Sequence, residues 1–140
     1  MLFTYNNTTQ TVAQNGAVNY LVNSVQTGCT ATHTPNTAQI SLNKCGIYAV
    51  FVNADVANTT ATAGDVKLQL YGNGVALDGL SGTNTTTSTT DVENIAFSGL
   101  VKVAPDTCSN TSNVPYYLTV VNTGIEATIN NTGITVKKVQ

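Results

Sequence analysis

The 140-residue chain contains no Arg and no Trp, and a single His, His33. Each absence closes a class of function. Without Arg there is no planar fork for phosphate or carboxylate, and the five Lys cluster only at Lys137 and Lys138, so nucleic-acid binding is not expected. Charged residues make up 9% of the chain and the formal net charge is −2, leaving neither a basic patch nor an acidic tail. No run approaches the ~18 apolar residues of a membrane span, and the opening MLFTYNNTTQ has neither the cationic nor the apolar region of a signal peptide. The expectation is a protein made in the cytoplasm, with no membrane insertion. No stretch of ten residues places apolar side chains at helical spacing, so helices are not expected.

What the chain does have is 25 Thr and 17 Asn, neutral residues suited to strands and turns respectively. Sequons begin at Asn6, Asn7, Asn58, Asn84, Asn110 and Asn130, and without a signal peptide they are read as unmodified. The β-branched apolar runs predict strands over 17–25, 37–43, 46–57, 65–71, 75–78, 94–103 and 115–122, with two short pieces around 126–129 and 133–139. That spacing is the pattern of an antiparallel sandwich or barrel. Gly72-Asn73-Gly74 marks a tight hairpin. The polar stretches 81–91 and 106–113 read as loops, places where a recognition surface could sit. Residues 1–15 read as an N-terminal arm, led by the apolar Leu2, Phe3 and Tyr5, ahead of a single domain at 16–140.

One stretch poses a question. In KCGIYAVFVNADV (44–56), Ile47, Ala49 and Phe51 lie on one face of an extended chain, and Tyr48, Val50, Val52, Ala54 and Val56 on the other. Both faces are apolar, whereas a half-buried strand should alternate. Something must cover the second face.

The titratable residues offer little chemistry. Cys29 and His33 are four residues apart, roughly 13 Å on a strand, too far for a nucleophile and its base. Cys29, His33, Cys45 and Cys108 would form a Cys₃His metal set, but no close Cys-x-x-Cys pair anchors it. Asp65, Asp78, Asp91 and Glu93 lack the dense spacing of a calcium loop and read as turn acids. Free thiols are the default for three Cys, with a Cys29–Cys45 bridge as the alternative. No paired carboxylates, phosphate loop or sugar platform is visible. No enzyme activity and no cofactor are expected.

Several elements together resemble a known family. Gly46-Ile47-Tyr48 with Val50 and Val52, KLQLYGNG at 67–74, IAFSGLVKV at 95–103, YYLTVVNTG at 116–124 and ATINNTGITVKKV at 127–139 resemble the jelly roll of the complement-component and tumour-necrosis-factor superfamily. The flavour is that of bacterial spore-surface tips and of fibre or decoration proteins of tailed bacteriophages. The resemblance implies an antiparallel two-sheet jelly-roll sandwich of eight to ten strands, assembled as a homotrimer. A second subunit would then cover the double-faced strand, with Tyr48, Val50 and Val52, and Tyr116 and Tyr117 from the similar run YYLTVV, at the trimer interface. It implies a structural virion protein bound to the phage capsid or other virion proteins. On that reading Leu2, Phe3 and Tyr5 dock the arm on the particle. The alternative is a receptor-binding or cell-surface glycan-binding tip.

Overall fold

A computed structural model of the chain describes residues 1–104 and 114–140. The expected loop at 106–113, with Cys108, lies outside the described residues. Among the described residues there are eleven strands: β1 (Leu2–Asn6), β2 (Gln10–Val12), β3 (Val22–Gln26), β4 (Ala31–His33), β5 (Ile40–Leu42), β6 (Gly46–Asn58), β7 (Gly64–Gly72), β8 (Val75–Thr86), β9 (Glu93–Val103), β10 (Tyr116–Asn122) and β11 (Ala127–Lys138). They form two antiparallel sheets, one in the order β3-β1-β11-β6-β9 with β2 also on β11, the other β4-β5-β10-β7-β8. This is the expected two-sheet jelly-roll sandwich.

Local chemistry explains the best-defined elements. Asn73 (φ 49°) and Gly74 (φ 80°) make the two-residue turn between β7 and β8, with Gly72 opposite Val75, the type I′ geometry that takes positive φ at both central positions. Three strands end on a buried Asn: β1 at Asn6, β6 at Asn58 and β10 at Asn122. Each side-chain oxygen accepts the backbone N–H two residues on, from Thr8 (2.8 Å), Thr60 (3.0 Å) and Gly124 (3.1 Å). These Asx turns satisfy polar atoms inside the fold while they turn the chain.

Four expectations need correction. Residues 1–15 are not a free arm. β1 lies between β3 and β11, with Leu2 opposite both Gln26 and Val136, and Leu2 is wholly buried; two flanking ladders order it more strongly than a tether could. The two closing pieces are one strand, β11, with a bulge between Asn130 and Gly133, where Asn131 takes φ 45°. The polar stretch 81–91 is largely strand. β8 continues to Thr86, because Thr suits the pleated backbone and an edge strand needs little apolar alternation. The run 17–25 is broken, with isolated bridges at Ala17 and Tyr20 ahead of β3.

A continuous apolar cluster fills the space between the sheets, including Val50, Val52 and Ile134 from the first and Leu68, Leu70 and Leu118 from the second. At one side of the sandwich Leu80 of β8 takes the place a side chain at Gly99 of β9 would need, 2.2 Å from the position of its Cβ. The opposite side is held by His33. Its Nδ1 lies 2.6 Å from Asn23 Oδ1 and 3.3 Å from Thr4 Oγ1, and its Nε2 3.0 Å from Thr37 O, so the imidazole joins β4 to β1 and β3.

Leu2→Ala is expected to lower stability by about 2–5 kcal/mol, the cost of emptying a buried leucine site, read as a shifted midpoint in urea unfolding. Removing residues 1–6 takes away the ladder joining β3 to β11, so that truncation is expected to give an unfolded, protease-sensitive chain. A truncated chain that keeps its cooperative transition would contradict the placement of β1.

Candidate assembly interface

The parity of β6 answers the question of its two apolar faces. Tyr48, Val50, Val52, Ala54 and Val56 point between the sheets and are at most 3% exposed. Ile47, Ala49 and Phe51 point outward, and Phe51 is 54% exposed. The expected interface residues Tyr48, Val50 and Val52 are therefore core residues of the single chain. Their larger summed apolar surface takes the site that must be dry in every protomer. Tyr116 and Tyr117 do not join them, since β10 belongs to the other sheet. Tyr116 packs against the core beside Gly72, and Tyr117 is exposed on the far side of the sandwich.

The outward face of the first sheet is the apolar one. The ladders place Phe3 opposite Thr135 and Thr135 opposite Phe51, and Ala49 opposite Leu100. Phe3 and Tyr5 stack with ring centroids 5.9 Å apart at 29°, and Phe3 lies over Gly133, whose missing side chain makes room for the ring. Leu100 is 66% exposed and Val22, opposite Tyr5, 41%. A shallow hollow of about 360 Å³ lies between Phe51, Ala96, Ser98 and Thr135. Among the described residues, charged side chains meet this face only at its borders, Lys102 and Lys137 toward one end and Asp55 toward the other. Of the three expected docking residues, Phe3 and Tyr5 belong to this platform, and Leu2 points into the core.

The other candidate residues have structural uses. Cys29 is an exposed free thiol, so it makes no bridge to the buried Cys45. The His33 ring is engaged at both nitrogens, as described. Among the described residues, no three His, Cys, Asp or Glu side chains converge where a metal could sit. Asp65 accepts a hydrogen bond from Thr85 Oγ1 (2.6 Å) and Glu93 one from Asn84 Nδ2 (3.3 Å); Asp78 is exposed on β8. The Asp91 carboxylate accepts both the backbone N–H and the hydroxyl of Thr87 at 2.8 Å, and these bonds hold it below the usual carboxylate range. A second hollow of about 430 Å³, lined by neutral side chains including Gln39, Ser41 and Thr32, offers hydrogen bonds without a Tyr or Phe in its wall. Burial pushes the Tyr20 phenol far above its ordinary value, with Thr132 a smaller opposing influence. Burial also raises Tyr48 against the bond it donates to Lys44 O (2.6 Å), and raises Tyr116.

No protein-family model matches the chain, and no curated protein is similar to it in sequence. Solved structures are similar in fold. Eiger TNF from S. frugiperda superposes with a TM-score of 0.72 at 14% identity, covering 99% of this chain and 91% of that one. Murine APRIL gives 0.64 at 13% identity over 97% and 96%. The PRD1 vertex protein P5 gives 0.54 at 18% identity over 99% and 96%. The fold is thus the tumour-necrosis-factor-like jelly roll.

Two outcomes test these placements. Val50→Asp buries a charge without a partner and is expected to unfold the chain, while Phe51→Asp, one residue along, is expected to keep native circular dichroism. Reversal of that order would mean the parity of β6 is wrong. Above about pH 10, the unfolded chain loses phenolic protons that folded Tyr20 and Tyr48 retain, so stability falls as pH rises. Tyrosinate absorbance should accordingly appear in two phases, the later one coinciding with loss of β-sheet signal.

Proposed function

We propose that the chain is a non-catalytic structural subunit of a bacteriophage virion, a homotrimeric decoration or head-fibre component. The observation that carries this reading is the apolar, centrally uncharged outer face of the first sheet. It gathers Phe3, Tyr5, Phe51 and Leu100 on one sheet face, with Thr135 between Phe3 and Phe51 and Ala49 opposite Leu100, on a protein whose surface is rich in hydroxyls and amides. A patch of this kind on a soluble surface marks a protein contact. Its flat strand-built shape suits a copy of itself, and burying one Phe ring there contributes on the order of 1.5–3 kcal/mol. Three copies follow from the superfamily that the sequence resembles, and the virion setting is supported by the near full-length likeness to the PRD1 vertex protein. With β1 fixed in the sheet, attachment to the particle falls to surfaces other than a mobile arm.

Sedimentation equilibrium at micromolar concentration is expected to give three times the 14.6 kDa chain mass. Phe51→Asp should reduce it to the single-chain value without loss of fold. A wild-type protein that sediments as one chain would sink the trimer. Mass spectrometry of purified particles of the encoding phage should find the protein in many copies, and its absence from them would remove the virion role.

A further inference from the structure

Among the described residues, charged side chains are sorted by end. Lys44, Lys102, Lys137 and Lys138, all exposed, gather where β6 begins and β9 and β11 finish. Lys102 stands opposite Ile47, Lys137 opposite Ala49 and Lys138 opposite Tyr48, so no acid faces them across these ladders. Gln140 O accepts from Ile47 N at 2.9 Å at this same end. The opposite end carries Asp55, Asp65, Asp91, Glu93 and Glu126. Glu93 is opposite Val56 and Asp55 is beside Asn94 and Asn130. The bond from Ile125 N to Asp65 O, 2.9 Å, brings Asp65 and Glu126 to one rim. Two residues break the pattern among those described, Lys67 close to Asp65 and Asp78 on the β8 edge.

The two ends do not neutralise each other. Lys102 and Glu93 are nine residues apart on β9, about 30 Å at the rise of an extended strand, against a screening length of about 8 Å at physiological ionic strength. Each end therefore presents its own sign to whatever approaches it. The matching sign is carried by the far end of every other copy of this chain. A contact between two different surfaces of one molecule does not close on itself and propagates along an axis.

We propose that the protein associates end to end, the lysine end of one copy on the acidic end of the next, to form a salt-sensitive stack along the strand direction. This contact is separate from the sideways apolar one proposed above. Single exposed ion pairs contribute little, so the stack depends on several charges acting together, and on several copies where protomers are already joined side by side.

Light scattering and sedimentation of the purified full chain, at about 10 mM and about 0.5 M salt, separate the two contacts because only the charged one is screened. The expected result is a mass that grows with concentration at low salt and returns to the basic unit at high salt. The combined variant Lys102→Glu, Lys137→Glu, Lys138→Glu should not grow at low salt. Neither should Asp65→Lys, Glu93→Lys, Glu126→Lys, whose far end then carries four Lys, with Lys67, against Asp55 and Asp91. Both variants should keep wild-type circular dichroism. Mixing them one to one should restore growth, because each then supplies the end the other lacks. A wild-type mass independent of salt, growth persisting in the Lys-reversed variant, or a mixture that stays at the basic unit would each overturn the proposal.

Discussion

The pairing of β6 with β11 is the constraint on which the other features rest. Side chains alternate along a strand, so a slip of one residue would exchange the whole buried set for the outward set. β11 meets this requirement with one extra residue. Ala127 and Ile129 point into the core from odd positions, Ile134 and Val136 from even ones, and the bulge at Asn130–Gly133 shifts the phase between them. Both halves of β11 thus bury apolar side chains against the same face of β6. The same register sends Phe51 outward and brings Phe3 into line with it through Thr135. Core and platform are two readings of a single alignment.

Much of this was legible in the chain, and the failures share a cause. The Asn73-Gly74 hairpin and strands β6, β7, β9 and β10 are written in local signals, namely positive-φ residues and dense β-branched runs. The expectation of two closing strands came from the phase change at Asn130–Gly133, which breaks alternation in the sequence but not the strand in space. β1 was missed because LFTYN is short and runs straight into the polar NTTQ, and only its two neighbours make it an interior strand. For β8, Thr83 to Thr86 show no apolar alternation, yet they pair with Gly64 to Lys67.

The outer apolar face was half legible. That both faces of β6 are apolar follows from its composition; which of them is internal does not, since Val50 and Phe51 are both apolar and parity is fixed by partners elsewhere. Leu100 gave a usable signal, a large aliphatic residue at an even step of ENIAFSGLVK, out of phase with Ile95, Val101 and Val103. Asn and Thr carry a further lesson. Asn6, Asn58 and Asn122 are buried and turn the chain, while His33 ties two sheet edges. Residues that resembled surface polarity or chemistry are instead the fastenings of the fold.

The position of β11 bears on how the protein comes into being. The last of these eleven strands to be synthesised lies between β1 and β6, so the first sheet stays incomplete until β11 has left the ribosome. Before then β1 has only β3 beside it, and one long edge of β6 is bare. Long-range closures of this kind are slow, and an open apolar edge invites pairing with other chains. Even in the finished molecule the second half of the β8 edge, residues 81–86, is made of Ser, Gly, Thr and Asn alone, a composition with little apolar surface to capture a stray strand. The time of greatest risk of misassembly is therefore the interval between emergence of β6 and arrival of β11, when the nascent chain has the strongest call on a chaperone.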